Sequence, residues 1–363
     1  TSCFSANAGF QVPSEGASSQ EECEPGTFSA NLGQAQCTDA SPGNFVSGSQ
    51  QTSQLPCQPG QFQPDTGQTS CLQAYPGNYT DAEGTANQVP CESGTYQPEA
   101  GQTSCLQAEP GNYSLAGATS QSSCSAGTFS SEPGQSNCTQ AEPGNYVSLD
   151  GATTQIPCSS GEYQSDSGGV GCEQAPPGQA VSADGTSAPA PCPPGKYQPG
   201  QGQSTCMAAS PGHFVNESGS AVQTPCPPGS YQSEPGQTAC IDTDAGHYAA
   251  ENGSTAQKPC QPGSYQASEG KSSCTEAMEG HHVPEEGSVS QSTCKSGTYQ
   301  PEAGQDECFD ASPGNFVSGT GAMSETPCQP GKYQENSGMT SCKDAESHCN
   351  SCNSSKFKRA FCD

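Results

Sequence analysis

Cys57-Gln-Pro-Gly-Gln-Phe62 is followed by Gly67 and Cys71, and 17 residues further on Ala74-Tyr-Pro-Gly-Asn-Tyr79 is followed by Gly84 and Gln88. The two stretches share one template, with the cysteines of the first exchanged for Ala and Gln in the second. Proline at the second position of a turn and glycine at the third suit a type II turn, because proline presets φ and glycine accepts a positive one. The second glycine, usually five residues after the ring, marks another turn. Between the turns only a few residues remain for strands, so each template is read as a short, irregular β-hairpin. Helix is excluded by the Pro, Gly and Ser that interrupt every window.

Outward from this pair the pattern covers almost the whole chain. From Cys3 the gaps between cysteines alternate between 20 and 14 residues as far as Cys342, with a single gap of 19 before Cys124. A 34-residue repeat built from two 17-residue modules follows, with cysteines in every second module. The alanine recurs at Ala6, Ala40, Ala74, Ala108, Ala141, Ala175, Ala209, Ala277, Ala311 and Ala345, with Thr243 replacing it once. Glutamine recurs three residues before a cysteine at Gln20, Gln54, Gln88, Gln121, Gln155, Gln223, Gln257 and Gln291. The ring recurs from Phe45 and Phe62 to Phe316 and Tyr333, interrupted by Ala180 and His282. Such a period means a one-dimensional array in which each unit buries its face on its neighbours. Rings at this spacing are read as the packing core, since little else in the chain offers comparable apolar area.

Composition agrees with a stapled array. Of the 363 residues only 29% are hydrophobic, none is Trp, and Gly and Pro number 44 and 32. That is too little apolar surface for a large core, and cross-links must supply what burial does not. The 24 cysteines place the chain in an oxidising compartment, outside the cell. No apolar run is long enough for a membrane span. The chain opens Thr1-Ser2-Cys3 without an apolar leader, which reads as a mature or processed product. Residues 1–195 carry 18 acids and no Lys or Arg, whereas 196–363 carry 19 acids and all 9 basic residues. Nucleic acid is therefore excluded as a partner, and the acidic exterior is read as a solvated surface.

The run C-x-P-G-x-[YF]-x4-G-x3-C, seen at Cys57…Cys71 and Cys226…Cys240 and, with Ser in place of the Pro, at Cys91…Cys105 and Cys294…Cys308, resembles small cysteine-rich repeats of the ephrin-receptor-like kind. It is also similar to the first submodule of tumour necrosis factor receptor cysteine-rich domains. The resemblance implies pairing across the 14-residue gap: Cys23 with Cys37, Cys57 with Cys71, Cys91 with Cys105, Cys124 with Cys138, Cys158 with Cys172, Cys192 with Cys206, Cys226 with Cys240, Cys260 with Cys274, Cys294 with Cys308, and Cys328 with Cys342. Pairing across the 20-residue gap, as Cys3 with Cys23 and Cys37 with Cys57, stays open from the residues alone. Under the first scheme Cys3, Cys349, Cys352 and Cys362 are left for a terminal or intersubunit bond.

The expected organisation is a partial repeat over 1–22, a ten-fold array over 23–345 and an atypical Cys-rich cap over 346–363. The expected fold is small, disulfide-rich and β-hairpin, drawn out as an elongated tandem-repeat rod. At ~10 Å per stacked two-strand module the rod would span ~200–300 Å. Sequons occur at Asn78, Asn112, Asn216, Asn252 and Asn353, and at Asn137, whose neighbour Cys138 makes it the least favoured for a glycan. His348 with Cys349, Cys352 and Cys362 has zinc-like composition, which an oxidising compartment converts to disulfides. The acid–Gly pairs Asp150-Gly151, Asp184-Gly185 and Glu286-Gly287 read as turns, not calcium ligands. No nucleophile, base and orienting group fall together, so no catalytic residue, metal or cofactor is expected. The expected function is an extracellular structural subunit, joined head to tail to copies of itself and carrying covalent glycans. The alternative is the stalk of a surface receptor or adhesin that binds a protein or glycan.

Overall fold

The computed structural model describes residues 3–345. They form 20 antiparallel two-stranded hairpins whose strands are 2 residues long. Gln61–Phe62 pairs with Leu72–Gln73, Phe62 opposite Leu72, and every hairpin repeats this register. The turn ahead of the first strand is the expected one: Gln61 N–H donates to Gln58 O at 2.9 Å across Pro59 and Gly60, and Gly60 takes φ +86°. The strands stop so soon because the second often ends in proline, as at Pro90 opposite Asn78. Proline has no N–H to extend a ladder. A complete hairpin already precedes Cys23, Phe10–Gln11 pairing with Glu21–Glu22. The stretch expected to be a partial repeat thus holds one full 17-residue module.

The described chain divides into two compact units: residues up to Gln174 together with Val181–Pro189, and Ala175–Ala180 together with residues from Ala190 on. Each repeats the same hairpin and the same links between successive modules. In the first unit Gly60 N–H donates to Thr80 O at 2.8 Å, Gln63 N–H to Thr85 O at 3.2 Å, and Gly84 N–H returns to Cys57 O at 2.9 Å. The backbone groups that a two-residue strand leaves over are thereby satisfied by the next module, which is why isolated hairpins of this length can persist here. The module after next comes close as well. A Cβ on Gly60 would stand 2.2 Å from Gly101 O, so that turn requires glycine for space as well as for φ.

Burial falls on smaller residues than the sequence suggests. The leading Cys, Ala or Thr of each module from Ala6 to Ala311 is buried, as are Val46, Val147, Val181 and Val283 just beyond the ring slot in the Ala-led modules. In most Cys-led modules that place is taken by a glutamine. Gln300 is completely buried, its Nε2 donating to Glu307 O at 2.8 Å and its Oε1 accepting from Glu302 N at 3.1 Å. Both ends of the amide are paired, so its burial carries no desolvation penalty. The rings are half-buried instead, Phe62 being the buried exception, with its edge against Tyr75 at 5.7 Å. Reading the ring as the core is thus corrected: neighbouring modules approach through glycine and carbonyl, and only small or thin side chains fit between them.

Tyr163 shows the consequence. Its hydroxyl donates to Glu173 Oε2 at 2.9 Å across the hairpin, and that bond, with lesser help from burial and the carboxylate's charge, raises the phenol pKa. Tyr163→Ala should therefore cost about 1–2 kcal/mol, well below a core ring. Hydrogen exchange over residues 146–186 checks this; a loss of protection as large as global opening would restore the ring to the core.

Candidate functional site

Closure of the module is the feature that the whole chain serves. In the Cys-led modules the leading cysteine bonds the one 14 residues later, in ten disulfides from Cys23–Cys37 to Cys328–Cys342. Cα–Cα distances of 5.7–5.9 Å show that the short hairpin already holds the two positions at bonding separation. Of the two pairings open from the residues, the structure has the 14-residue one. Cys3 is exposed and has no disulfide partner among the described residues, its 20-residue partner Cys23 being bonded to Cys37. Cys349, Cys352, Cys362 and His348, whose zinc-like composition is read as disulfides, lie outside the described residues.

The Ala-led modules close differently, by a device that the sequence displayed without explaining. Gln88, where Cys71 stands in the preceding module, accepts the Tyr75 N–H on its Oε1 at 2.7 Å. The same bond joins Gln20 to Asn7, Gln54 to Ser41, Gln121 to Glu109, Gln155 to Glu142, Gln223 to Ser210, Gln257 to Asp244 and Gln291 to Met278, all at 2.7–2.8 Å. Glu325 does the same for the Ser312 N–H. Staples therefore alternate along most of the array, a covalent one and then a polar side-chain one; the Ala175 module, with Pro189 in the slot, has no such acceptor. The signal was the recurrence of Gln in the slot of a cysteine, broken only by Pro189 and Glu325; the partner of Gln88, 13 residues back, needs the fold to be seen.

The acid–Gly pairs serve the turns. Most modules have proline in the turn and so no N–H there; Ala126 and Ser160 have one, and Asp150 and Asp184 of the following modules accept it at 2.8 and 2.7 Å. Glu286 accepts from Gln261 Nε2 at 3.1 Å. Among the described residues one group of His, Cys and acidic side chains could converge on a cation: His282, Cys294 and Cys308, their ligand atoms within 4.8 Å of one another. Both sulfurs are engaged in the Cys294–Cys308 bond. His281 Nδ1 lies 3.1 Å from Glu279 O.

The sequons separate by exposure. Asn216 and Asn252 stand exposed in loops, as does Asn137 beside Cys138. Asn78 and Asn112 are half-buried strand residues whose Nδ2 donates to Pro76 O and Pro110 O at 3.3 and 3.4 Å. Asn353 lies outside the described residues. No helix among the described residues is long and apolar enough to cross a membrane, and ten disulfides fit an extracellular or secreted chain. Compared with known families and curated proteins, the chain matches neither a family model nor a curated protein.

Proposed function

We propose that the chain is an extracellular structural protein, the subunit of a glycosylated, disulfide-stapled fibre, appendage or coat that grows head to tail. The ephrin-receptor-like resemblance and the regularity of the modules fit this reading, and the observation that carries it is the one set of backbone bonds by which each module joins the next. Inside the array each module gives one glycine N–H and one leading-residue carbonyl to the next, as Gly297 gives its N–H to Val317 O and Cys294 accepts from Gly321 N, both at 2.8 Å. The acceptor and donor on one side of a module complement the donor and acceptor on the other, so modules of a second copy can add to the array with the bonds that build it. A heterologous contact of this kind propagates unless it closes.

Charge favours the same contact. The tail carries Lys356, Lys358 and Arg359, while residues 1–195 carry no basic group. Cys3, exposed, is available to a tail cysteine of the next copy. Electron microscopy and sedimentation of the full chain test the reading: narrow filaments lengthening with concentration are expected, with an extended form in small-angle scattering. Monomers persisting at high concentration, or a globular radius of gyration, would overturn it. Cys3→Ser should leave filaments that come apart in denaturant without reductant. Glycans are expected first at Asn216 and Asn252, read as a mass loss on glycosidase treatment of protein from a glycosylating host; an unmodified chain from that host removes the glycan from the proposal.

A further inference from the structure

The ring slot of the Ala-led modules faces the staple of the module that follows. Its two polar occupants show this: Gln11 Oε1 accepts the Cys37 N–H at 2.8 Å, and His282 Nδ1 lies 3.1 Å from Cys308 Sγ. Ahead of the other described disulfides this slot holds Phe, Tyr, Gln11 or Ala180. Histidine is the residue type that exchanges protons near neutral pH, and among the described residues His282 alone brings it to a disulfide. The ten bridges close loops of the same length, so chain entropy favours none of them over the rest. Only at Cys294–Cys308 does this slot set a proton-exchanging side chain beside the sulfurs.

We propose that Cys294–Cys308 is a thiol-exchange site, with His282 as its acid–base group and small or protein thiols as its substrate class. Cys294 is fully buried and Cys308 part-exposed, so an incoming thiol reaches Cys308 Sγ. The imidazole takes the thiol proton and the thiolate bonds to Cys308 Sγ. The Cys294–Cys308 bond breaks with its electron pair on Cys294 Sγ. The imidazolium then returns the proton to Cys294, leaving a mixed disulfide on Cys308. A second thiol attacks that mixed disulfide, releasing a disulfide of the two substrate thiols and leaving Cys294 and Cys308 as a dithiol. Two thiols are oxidised and one disulfide is reduced. A buried leaving thiolate is costly where nothing positive stands beside it. Imidazolium next to thiolate removes that cost and stabilises the reduced pair, which makes its disulfide the more readily reduced.

The test equilibrates the full chain in thiol/disulfide buffers of graded ratio, alkylates free cysteines and assigns them by peptide mass. Cys294 and Cys308 should alkylate first among the interior pairs, with a reduction constant at least about tenfold above the others, or about 30 mV for this two-electron couple. His282→Tyr, the ring that the slot carries elsewhere, should return the pair to the common value. Tyr248→His, one repeat earlier, added to His282→Tyr should move Cys260–Cys274 to the front instead. Reduction of Cys294–Cys308 together with the other interior pairs, or an order unchanged by either substitution, overturns the proposal.

Discussion

Gly229→Val is expected to open the array locally at a cost of about 3–5 kcal/mol, the sum of two separate penalties. The first is conformational, because Gly229 takes φ +92° and a β-branched residue is strained there. The second is steric. A Cβ at this position would lie 2.3 Å from Gly270 O and 2.9 Å from its carbonyl carbon, and a main-chain carbonyl cannot move aside as a side-chain tip would. The Gly229 N–H to Ala249 O and Thr243 N–H to Gly229 O bonds, 2.8 and 2.9 Å long, pass through the same turn and would be lost with it. Gly151→Ala is the control: φ is +71° and nothing lies within 4 Å of the added carbon, so about 1–2 kcal/mol of backbone strain is expected alone. Because each module touches only near neighbours, hydrogen exchange in Gly229→Val should rise over residues 229–271 and stay unchanged over 57–105. Uniform loss across the chain, or no loss, would contradict the local, glycine-mediated contact.

Such glycines could be assigned from the sequence as turns, because Pro-Gly before a ring has one economical conformation. Their second duty, admitting the carbonyl of Gly270 to Gly229 or Gly101 to Gly60, could not, since it joins residues 41 apart through the winding of the array. The hairpin, the period and the alternation of staples were legible for the same reason as the turns: each is fixed within one repeat. The error over the rings has the opposite origin. Tyr79 and Tyr163 are the largest apolar side chains available, and size alone suggested a core. What decides burial is the gap between modules, which Val147 and Gln300 fit and a ring does not. Gln88 was visible as a replacement for cysteine, yet its bond to the Tyr75 N–H needed the register of the hairpin. His282 read as an isolated substitution because Cys308 is 26 residues away in sequence and 3.1 Å away in space.

The two kinds of staple can be exchanged, and the expected result ranks them. Cys57→Ala with Cys71→Ala removes one disulfide and should lower local stability by about 3 kcal/mol, the chain-entropy value for a loop of this length. The folded module itself should tolerate the change, because alanine already fills the leading slot at Ala40 and Ala74, both fully buried. Keeping Cys57→Ala but placing glutamine at the other end, Cys71→Gln, recreates the composition of an Ala-led module. Gln58 has an N–H where Tyr75 has the one that Gln88 clamps, so the new carboxamide finds its donor ready. That bond should recover about 0.5–1.5 kcal/mol, leaving the module between the two extremes. Long repeat arrays do not unfold in two states, so the comparison belongs to exchange rates and proteolysis over residues 57–73. Equal protection in the Ala/Ala and Ala/Gln chains would mean that the recurring glutamines hold nothing. The intermediate value would mean that every second module is held noncovalently, and that reduction of the chain weakens alternate modules and spares the ones between.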